Sequence, residues 1–478
     1  MKAYLRLIKP LLLCDTSFHL MKLSASISRL EYGVYALSLI LCFLLFKHTD
    51  LSHTNNSSFA YLQGHFWDFY DYNRPLFMGN NYLPFLYWIF AVWNIPLKLL
   101  GQLSAITSDT WMLSTVIQTI WSKLLLAIFF FSSIAQIKKI SEQLYKLNDW
   151  TPSNLMAFTP YLLFATSPIA IYSVFIFSGY DIFGLFFSLV GLRFYFAKDF
   201  NKFVFWFSVA ISFKFFAAII YLPLVLIIEK RLSRLVLYGL AGLAFTIFQL
   251  ALYWHSEAFH LGIFGMIEAK AGGHTMGGRF FYANIIYFAL CIFLYASKFN
   301  FQVNSYRWCQ TALLSCVLSY ALFFSWVMWH PQWLFLTAPF VCLSYLFIRN
   351  KNLLLIVEIL GYLGFLIFTI NNWIGNADNV MLYSGALASW LPKTQTIASD
   401  VMGRHWLGFA RTAFYTMLYA PALIWFSEYL WSKKISVGHE EDSHQKSQSR
   451  FTTALFIVRF LVGTYFFVVI CAICLYRA

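Results

Sequence analysis

The feature that most constrains this chain is a succession of apolar runs, each near the length of a membrane-crossing helix, with little polar sequence between them. A helix that crosses a bilayer needs about 20 apolar residues, within a range of about 17–25. Such runs occupy residues 32–46, 113–136, 155–172, 181–197, 203–215, 216–228, 235–253, 281–297, 308–326, 333–348, 353–371, 408–431 and 452–475. Several are short for a straight span. The pair within 203–228 predicts broken helices, which are tolerated only where protein or a wet cavity covers the freed backbone. The expectation is an all-α polytopic membrane protein with about 11–13 transmembrane helices. Only 11% of the 478 residues are charged, against roughly 25% in a soluble domain. So sparse a charge cannot coat a water-facing surface, which excludes a soluble enzyme, and 60% hydrophobic residues exclude a disordered chain.

The formal net charge is +14. Lys and Arg gather on the cytoplasmic side of membrane proteins, so the excess predicts contact with membrane lipids and no nucleic-acid partner. With the N-terminus inside, most Lys and Arg fall on inner segments, among them Lys138/Lys139, Lys198/Lys202, Lys230/Arg231/Arg234, Arg349/Lys351 and Lys433/Lys434. The chain then reads as one integral membrane domain over 1–478 with a cytoplasmic segment 1–31, whose basic residues precede the first run without a signal-type cleavage site. Exoplasmic loops follow at 47–112, 254–280 and 372–407, and a hydrophilic cytoplasmic linker at 432–451. The apolar segment 83–101 is tempting as a span, but it would put Lys138 and Lys139 outside, and it carries Pro84, Asn94, Pro96 and Lys98. It is expected to lie in the outer interface, where Trp and Tyr are at home. Of eight cysteines, all but Cys14 sit in or beside apolar runs, so no disulfide is expected. Asn55 and Asn56 both open N-x-S sequons.

The outer segments hold the chemistry-bearing residues. Asp50 directly follows the first run, in Lys47-His48-Thr49-Asp50-Leu51. Partial desolvation at such a depth suits a carboxylate to act as general base toward a lipid-borne substrate; the plainer role is a helix cap or a solvated loop acid. Asp181, in Ser178-Gly179-Tyr180-Asp181, is an acid at a membrane boundary with no local basic partner. It is either functional or the N-cap of the next helix. Lys214 lies where two short runs meet and asks for an anion, unless it only snorkels to the interface. The segment 254–280 carries Glu257, two Gly-Gly pairs around His274, and Arg279, which suits bidentate grip of a phosphate. His255, His260 and His274 lack compact metal-ligand spacing, so no metal is expected. In Trp329-His330-Pro331-Gln332-Trp333, His330 and Gln332 sit between two indoles, an arrangement that fits a sugar as well as plain interface anchoring.

In this order, the features resemble the GT-C superfamily of integral membrane glycosyltransferases, similar in plan to polyprenyl- or dolichyl-phosphate-sugar-dependent mannosyltransferases. The resemblance covers about residues 30–350. It rests on Asp50 after the first span and a long outer loop with NNYLPFLYWIFAVW, followed by SGYDIFGLFF, SFKFFAAIIYLPL and WHPQWLFLTAPF. Leu83-Pro84 stands where the family has a double proline, and Ser178-Gly179 where Gln is common before Tyr-Asp. The resemblance implies an inverting enzyme with a polyprenyl-phosphate-linked sugar donor and a glycan or glycolipid acceptor on the exoplasmic face, without cofactor or metal. In that scheme Asp50 or Asp181 is the base, Lys214 and Arg279 bind the donor phosphate, and Tyr82, Tyr180, Glu257, His274, His330 and Gln332 contact sugar or acceptor. A lipid-linked polysaccharide polymerase would carry Arg-rich outer loops. A secondary transporter would show repeats and ionisable residues deep in its spans. A flippase is the remaining alternative.

Overall fold

The computed structural model describes residues 29–77, 80–103, 113–148, 159–271, 277–297, 306–326, 331–371, 381–390, 405–432 and 454–463. Among them no strand occurs, and helices follow one another throughout. The first is α1 (Arg29–Leu45), and the chain then turns through 66° into α2 (Thr49–Ser57) and α3 (Phe59–Gln63). Three more short helices complete the first loop, α4 (Phe69–Phe77), α5 (Pro84–Trp93) and α6 (Ile95–Leu99). The long α7 (Val116–Leu147) starts at a capping box of Thr115 and Gln118. Next come α8 (Pro160–Ala165), α9 (Pro168–Ile171) and a π-helical turn (Tyr172–Ile176). The middle of the chain is α10 (Ile182–Phe196), α11 (Phe200–Phe213), α12 (Ala217–Ile228), α13 (Leu232–Leu252), α14 (Glu257–Ala271) and α15 (Gly277–Ala296). The rest is α16 (Tyr306–Trp326), a 3₁₀ turn (Pro331–Leu336), α17 (Ala338–Ser344), α18 (Lys351–Asn371), α19 (His405–Ser432) and α20 (Ala454–Gly463).

Four described helices are long and apolar enough to cross a membrane, within α7, α13, α16 and α18, and the bent pair 32–63 makes a fifth if it acts as one span. Seven further apolar helices have 10–17 residues. The runs were therefore correctly placed, but many are broken where the sequence count assumed one span each. Proline is one cause: Pro160 and Pro168 each begin a new helix, dividing the 155–172 run. The 203–228 pair breaks as expected, at Lys214–Phe216 between α11 and α12. The α13 face carries Leu232, Val236, Leu237, Leu240, Ile247 and Phe248 exposed, as a lipid-facing helix does.

The 83–101 segment does not form one span. Ten residues of α5 reach only about 15 Å at 1.5 Å per residue, half the roughly 30 Å apolar thickness of a bilayer. Asn94 then interrupts the helix. Its side chain is buried and donates to Asn55 Oδ1 at 2.9 Å, while Asn56 Nδ2 donates to Leu113 O at 2.7 Å. Both sequon asparagines are thus interior hydrogen-bonding groups of the folded chain. Trp93 and Trp121 stack at 4.7 Å, and each indole N–H donates to the other's carbonyl at 2.8 Å, joining α5 to α7. Residues 254–280 are less of a loop than expected, since Glu257–Ala271 is helical and packs on α4. Part of the 372–407 loop folds back onto the end of α1, where Lys47 N donates to Met381 O at 3.0 Å and Ala386 N to Leu44 O at 2.9 Å. Segments 1–28, 433–453 and 464–478, with Cys14, Cys471 and Cys474, lie outside the described residues. The five described cysteines are buried and unbridged.

Two buried cations organise the interior. Lys123, 1% exposed, donates from the N-terminal quarter of α7 to the carbonyls of Cys42 (3.2 Å) and Phe46 at the end of α1, and of Phe175 (2.8 Å) in the π turn. Arg459 on α20 pairs with Glu358 on α18 through Nε (3.0 Å) and Nη2 (2.9 Å) and reaches Thr166 Oγ1 and Leu163 O at 2.7 Å. Tyr345 and Tyr362 donate to the same carboxylate.

Two outcomes follow. A cysteine replacing Trp67, which is 65% exposed in the first loop, should react with a membrane-impermeant thiol reagent added outside intact cells, with the unsubstituted protein as background; labelling only after the cytoplasmic side is opened would invert the assigned orientation. Lys123→Met leaves buried carbonyls without a donor, each costing about 1–3 kcal/mol, and should lower Tm sharply; an unchanged Tm would remove the lysine from the folding core.

Candidate functional site

Segments far apart in sequence meet at one end of the helices. At the bend after α1 the His48 imidazole caps α2, its Nδ1 accepting from Asp50 N at 3.2 Å. Asp50 therefore does not cap the helix. It occupies the first turn of α2, where the helix dipole favours a carboxylate, and Oδ1 lies 3.3 Å from His48 Nδ1. Its side chain is 41% exposed, the most open acid of the group. Beside it Lys47 is buried, donates to Ser52 Oγ at 2.8 Å, and has its ammonium pushed down to about 8 by burial.

The turn after the π segment packs against this bend. Phe177 O accepts from His48 N at 3.2 Å, and the two rings stack at 4.2 Å. Phe177 N and Gly179 N each donate at 2.7 Å, to Tyr172 O and Ser173 O. Ser178 between them has φ +63°, the left-handed region that side chains disfavour. Asp181 sits just before α10, yet its side chain makes no capping hydrogen bond. Its Oδ1 instead lies 2.5 Å from Lys214 Nζ, with the two side chains 4% and 11% exposed.

Lys214 reaches Asp181 because the α11–α12 break leaves it extended, at φ −147° and ψ 111°. Close helix approach completes the placement. A Cβ on Gly184 would come 2.8 Å from Lys214 Cβ, and one on Gly191, seven residues along α10, 2.5 Å from the Phe207 ring. These two small residues let α10 and α11 come together. Around the ammonium stand Tyr82 (5.1 Å), Trp333 (5.2 Å) and Phe216 (5.3 Å), all at cation–π range. Tyr82 meets Tyr180 edge-on at 5.0 Å. Burial raises the Tyr82 hydroxyl well above its ordinary pKa, and the negative charges of Asp50 and Asp181 add to the rise; the Tyr180 hydroxyl is raised by burial, Tyr82 and Asp50. The two tyrosines thus link both acids. Gln332 closes the group: its Cγ lies 3.6 Å from where a Gly179 Cβ would stand, and its carbonyl accepts from Ser173 Oγ at 3.1 Å.

Six of the residues singled out in the sequence are brought together: Asp50, Asp181, Lys214, Tyr82, Tyr180 and Gln332. Glu257 is not. It lies 77% exposed at the start of α14 and faces Arg74 Nη1 at 3.5 Å, as an acid does on a solvated helix start. His274 and His330 fall outside the described residues, as does the Arg279 side chain, although Arg279 belongs to α15. His260 Nε2 lies 2.7 Å from Trp254 O. Among the described residues no group of three His, Cys, Asp or Glu side chains could hold a metal ion. A shallow hollow of about 450 Å³ lies at Ala197–Asn201, the opposite end of α10 from Asp181. Sequence inspection overlooked His48 as a cap, Phe216 and Trp333 as walls for Lys214, and the strain at Ser178. The H-x-D spacing and the Trp beside Gln332 were visible, but their partners come from remote segments.

No family model, curated protein or solved structure matches the chain.

Removing one member of a buried ion pair typically costs about 3–5 kcal/mol. Lys214→Met should therefore lower Tm, and adding Asp181→Asn in the same chain should restore most of the loss. Equal Tm values for the parent and the Lys214 variant would mean that the pair carries no coupling.

Proposed function

We propose that the chain is an inverting membrane glycosyltransferase that moves a sugar from a polyprenyl-phosphate donor to an acceptor hydroxyl on the exoplasmic face. The observation that carries this reading is the gathering of an open carboxylate, Asp50, and a buried carboxylate–ammonium pair, Asp181–Lys214, around Tyr82 and Tyr180. The two acids differ in the way such a reaction needs. Asp50 is accessible and takes the proton of the acceptor hydroxyl as that oxygen attacks the anomeric carbon. The bond from that carbon to the lipid phosphate breaks, and the phosphate leaves from the opposite face.

The developing negative charge needs a fixed cation in a place poor in water. Lys214 serves in this role, held by Asp181 while no phosphate is bound and walled by Tyr82, Phe216 and Trp333. Arg279 is a second candidate phosphate ligand from its place at the start of α15. A lipid-borne donor matches the lipid-facing character of α13 beside α11.

Glu358 and Arg459 favour a second reading, a secondary transporter, since ionisable groups within apolar helices often mark ion paths. Against it, both carboxylate oxygens and the guanidinium are engaged by protein groups. A fully satisfied pair locks helices together more readily than it relays ions.

The test is release of polyprenyl phosphate from labelled polyprenyl-phosphate mannose or glucose by the purified protein. Asp50→Asn keeps shape but accepts no proton, so turnover should fall by about 10²-fold or more, with donor binding retained. Lys214→Ala should weaken donor use more than tenfold, as expected for roughly 2–5 kcal/mol of lost charge pairing. An active Asp50→Asn with a dead Asp181→Asn would transfer the base to Asp181. Full activity in both would end the mechanism that makes either acid the base, and a parent protein that releases no polyprenyl phosphate from either donor would end the transferase reading.

A further inference from the structure

We infer that the turn Ser178–Asp181, together with Gln332, forms a subsite for the hydroxyl groups of a sugar, with Ser178 as a binding residue. This assignment deepens the proposed transferase reading and rests on it for the ligand's place in a reaction.

Two side chains carry the inference. Ser178 is 1% exposed and its Oγ has no hydrogen-bond partner, although a buried hydroxyl almost always finds one. Gln332 is 4% exposed and its Oε1 is likewise without a partner. They flank one turn, since the Gln332 side chain lies over Gly179, the residue next to Ser178. A third acceptor, Asp181 Oδ1, is paired with Lys214 Nζ at 2.5 Å and has a second lone pair to offer. Three polar oxygens with open capacity therefore stand within one turn and its packed neighbour.

The backbone makes the serine costlier still. At φ +63° glycine would be the natural residue, relieving the strain and removing the unpaired hydroxyl in one change. The chain keeps a residue that is unfavourable on both counts. Its hydroxyl is satisfied when a ligand arrives.

The chemistry of the three atoms selects the ligand. Gln332 Oε1 and a carboxylate oxygen only accept hydrogen bonds. A phosphate at neutral pH brings mainly acceptor oxygens and would face them oxygen to oxygen. Sugar hydroxyls donate and accept, so one ring can serve Gln332 Oε1, Asp181 Oδ1 and Ser178 Oγ. The phosphate falls to Lys214, which lies against the same carboxylate oxygen, and the subsite reads hydroxyls.

The experiment uses the full chain in lipid nanodiscs, with binding of methyl α-D-mannopyranoside and of inorganic phosphate measured separately and Tm recorded without ligand. Ser178→Gly should raise Tm and weaken glycoside binding by roughly fivefold or more, the loss of one hydrogen bond, with phosphate binding unchanged. Gln332→Met, which loses the acceptor but keeps the length, should weaken the glycoside in the same way. Ser178→Ala keeps the strain and should lose binding without the full gain in Tm. A raised Tm with unaltered glycoside binding would overturn the assignment, as would a parent protein that binds no glycoside or a loss confined to phosphate. The two readings separate cleanly. Weakened glycoside binding in Ser178→Gly, in a parent protein that releases no polyprenyl phosphate from either labelled donor, would leave the subsite standing and remove only the transferase.

Discussion

A cation buried in an apolar body must be surrounded by oxygens, and the architecture of this chain follows from how Lys123 meets that demand. Its ammonium has no carboxylate among its hydrogen-bond partners. It takes the carbonyls of Cys42 and Phe46 at the end of α1 and of Phe175 in the π turn. A positive charge at a helix C-terminus also meets the negative end of the helix dipole. One side chain on α7 thereby draws together the exits of two segments more than a hundred residues apart. Once Phe46 and Phe175 are held there, His48 stacks on Phe177, and the loops bearing Asp50 and Asp181 must meet.

Breakage of the helices is the second half of the same logic. A straight apolar helix satisfies its own backbone and presents only side chains. A helix that stops inside the body frees amide and carbonyl groups, which need partners. Here the stops at Phe46 and Phe177 lie beside one another, the stop at Phe213 is joined to the turn after Phe177 through Lys214 and Asp181, and polar and ionic residues gather at them. Lys123 fills the first two stops. At the third, Lys214 leaves the helix extended and turns to Asp181. At the other buried charge, Arg459 and Glu358 satisfy one another with two tyrosines and tie α20 to α18. The difference is instructive. The Glu358 network is complete, whereas the turn at Ser178 leaves hydroxyl and amide oxygens without partners. Completed polar networks hold a fold together, and incomplete ones are where a ligand finds its contacts.

Much of this was legible along the chain. An acid next to an apolar run, a lysine between two short runs, and Gln332 beside Trp333 all stand out because polar groups in such surroundings need a reason. Fold class followed from the same arithmetic, since sparse charge and long apolar runs leave few alternatives to a helical membrane body. Loop content was less legible. Glu257 looked like a site residue beside glycine pairs, but a helix through Ala271 carries it to an exposed surface facing Arg74. Asn94 looked like an interfacial polar residue and is an interior hydrogen-bond hub with Asn55 and Ser58. Local composition tells polar from apolar, but it does not tell which polar groups find one another.

The sequence by itself determined that this chain is built of helices, where the apolar runs lie, that the 203–228 region breaks, and which few ionisable residues stand at run ends. These are consequences of residue type and spacing, set within about twenty residues of chain. Tertiary structure alone decided that Asp181 pairs with Lys214 instead of capping its helix, that Gly184 opens the room for that pairing, and that Asp50 stays open while Asp181 is covered. It also decided that Ser178 is held in a left-handed turn with its hydroxyl unpaired. Each of these depends on contacts between segments separated by tens to hundreds of residues. The free energy of a buried charge is set by the atoms that surround it in space, and their identity emerges only when the helices pack.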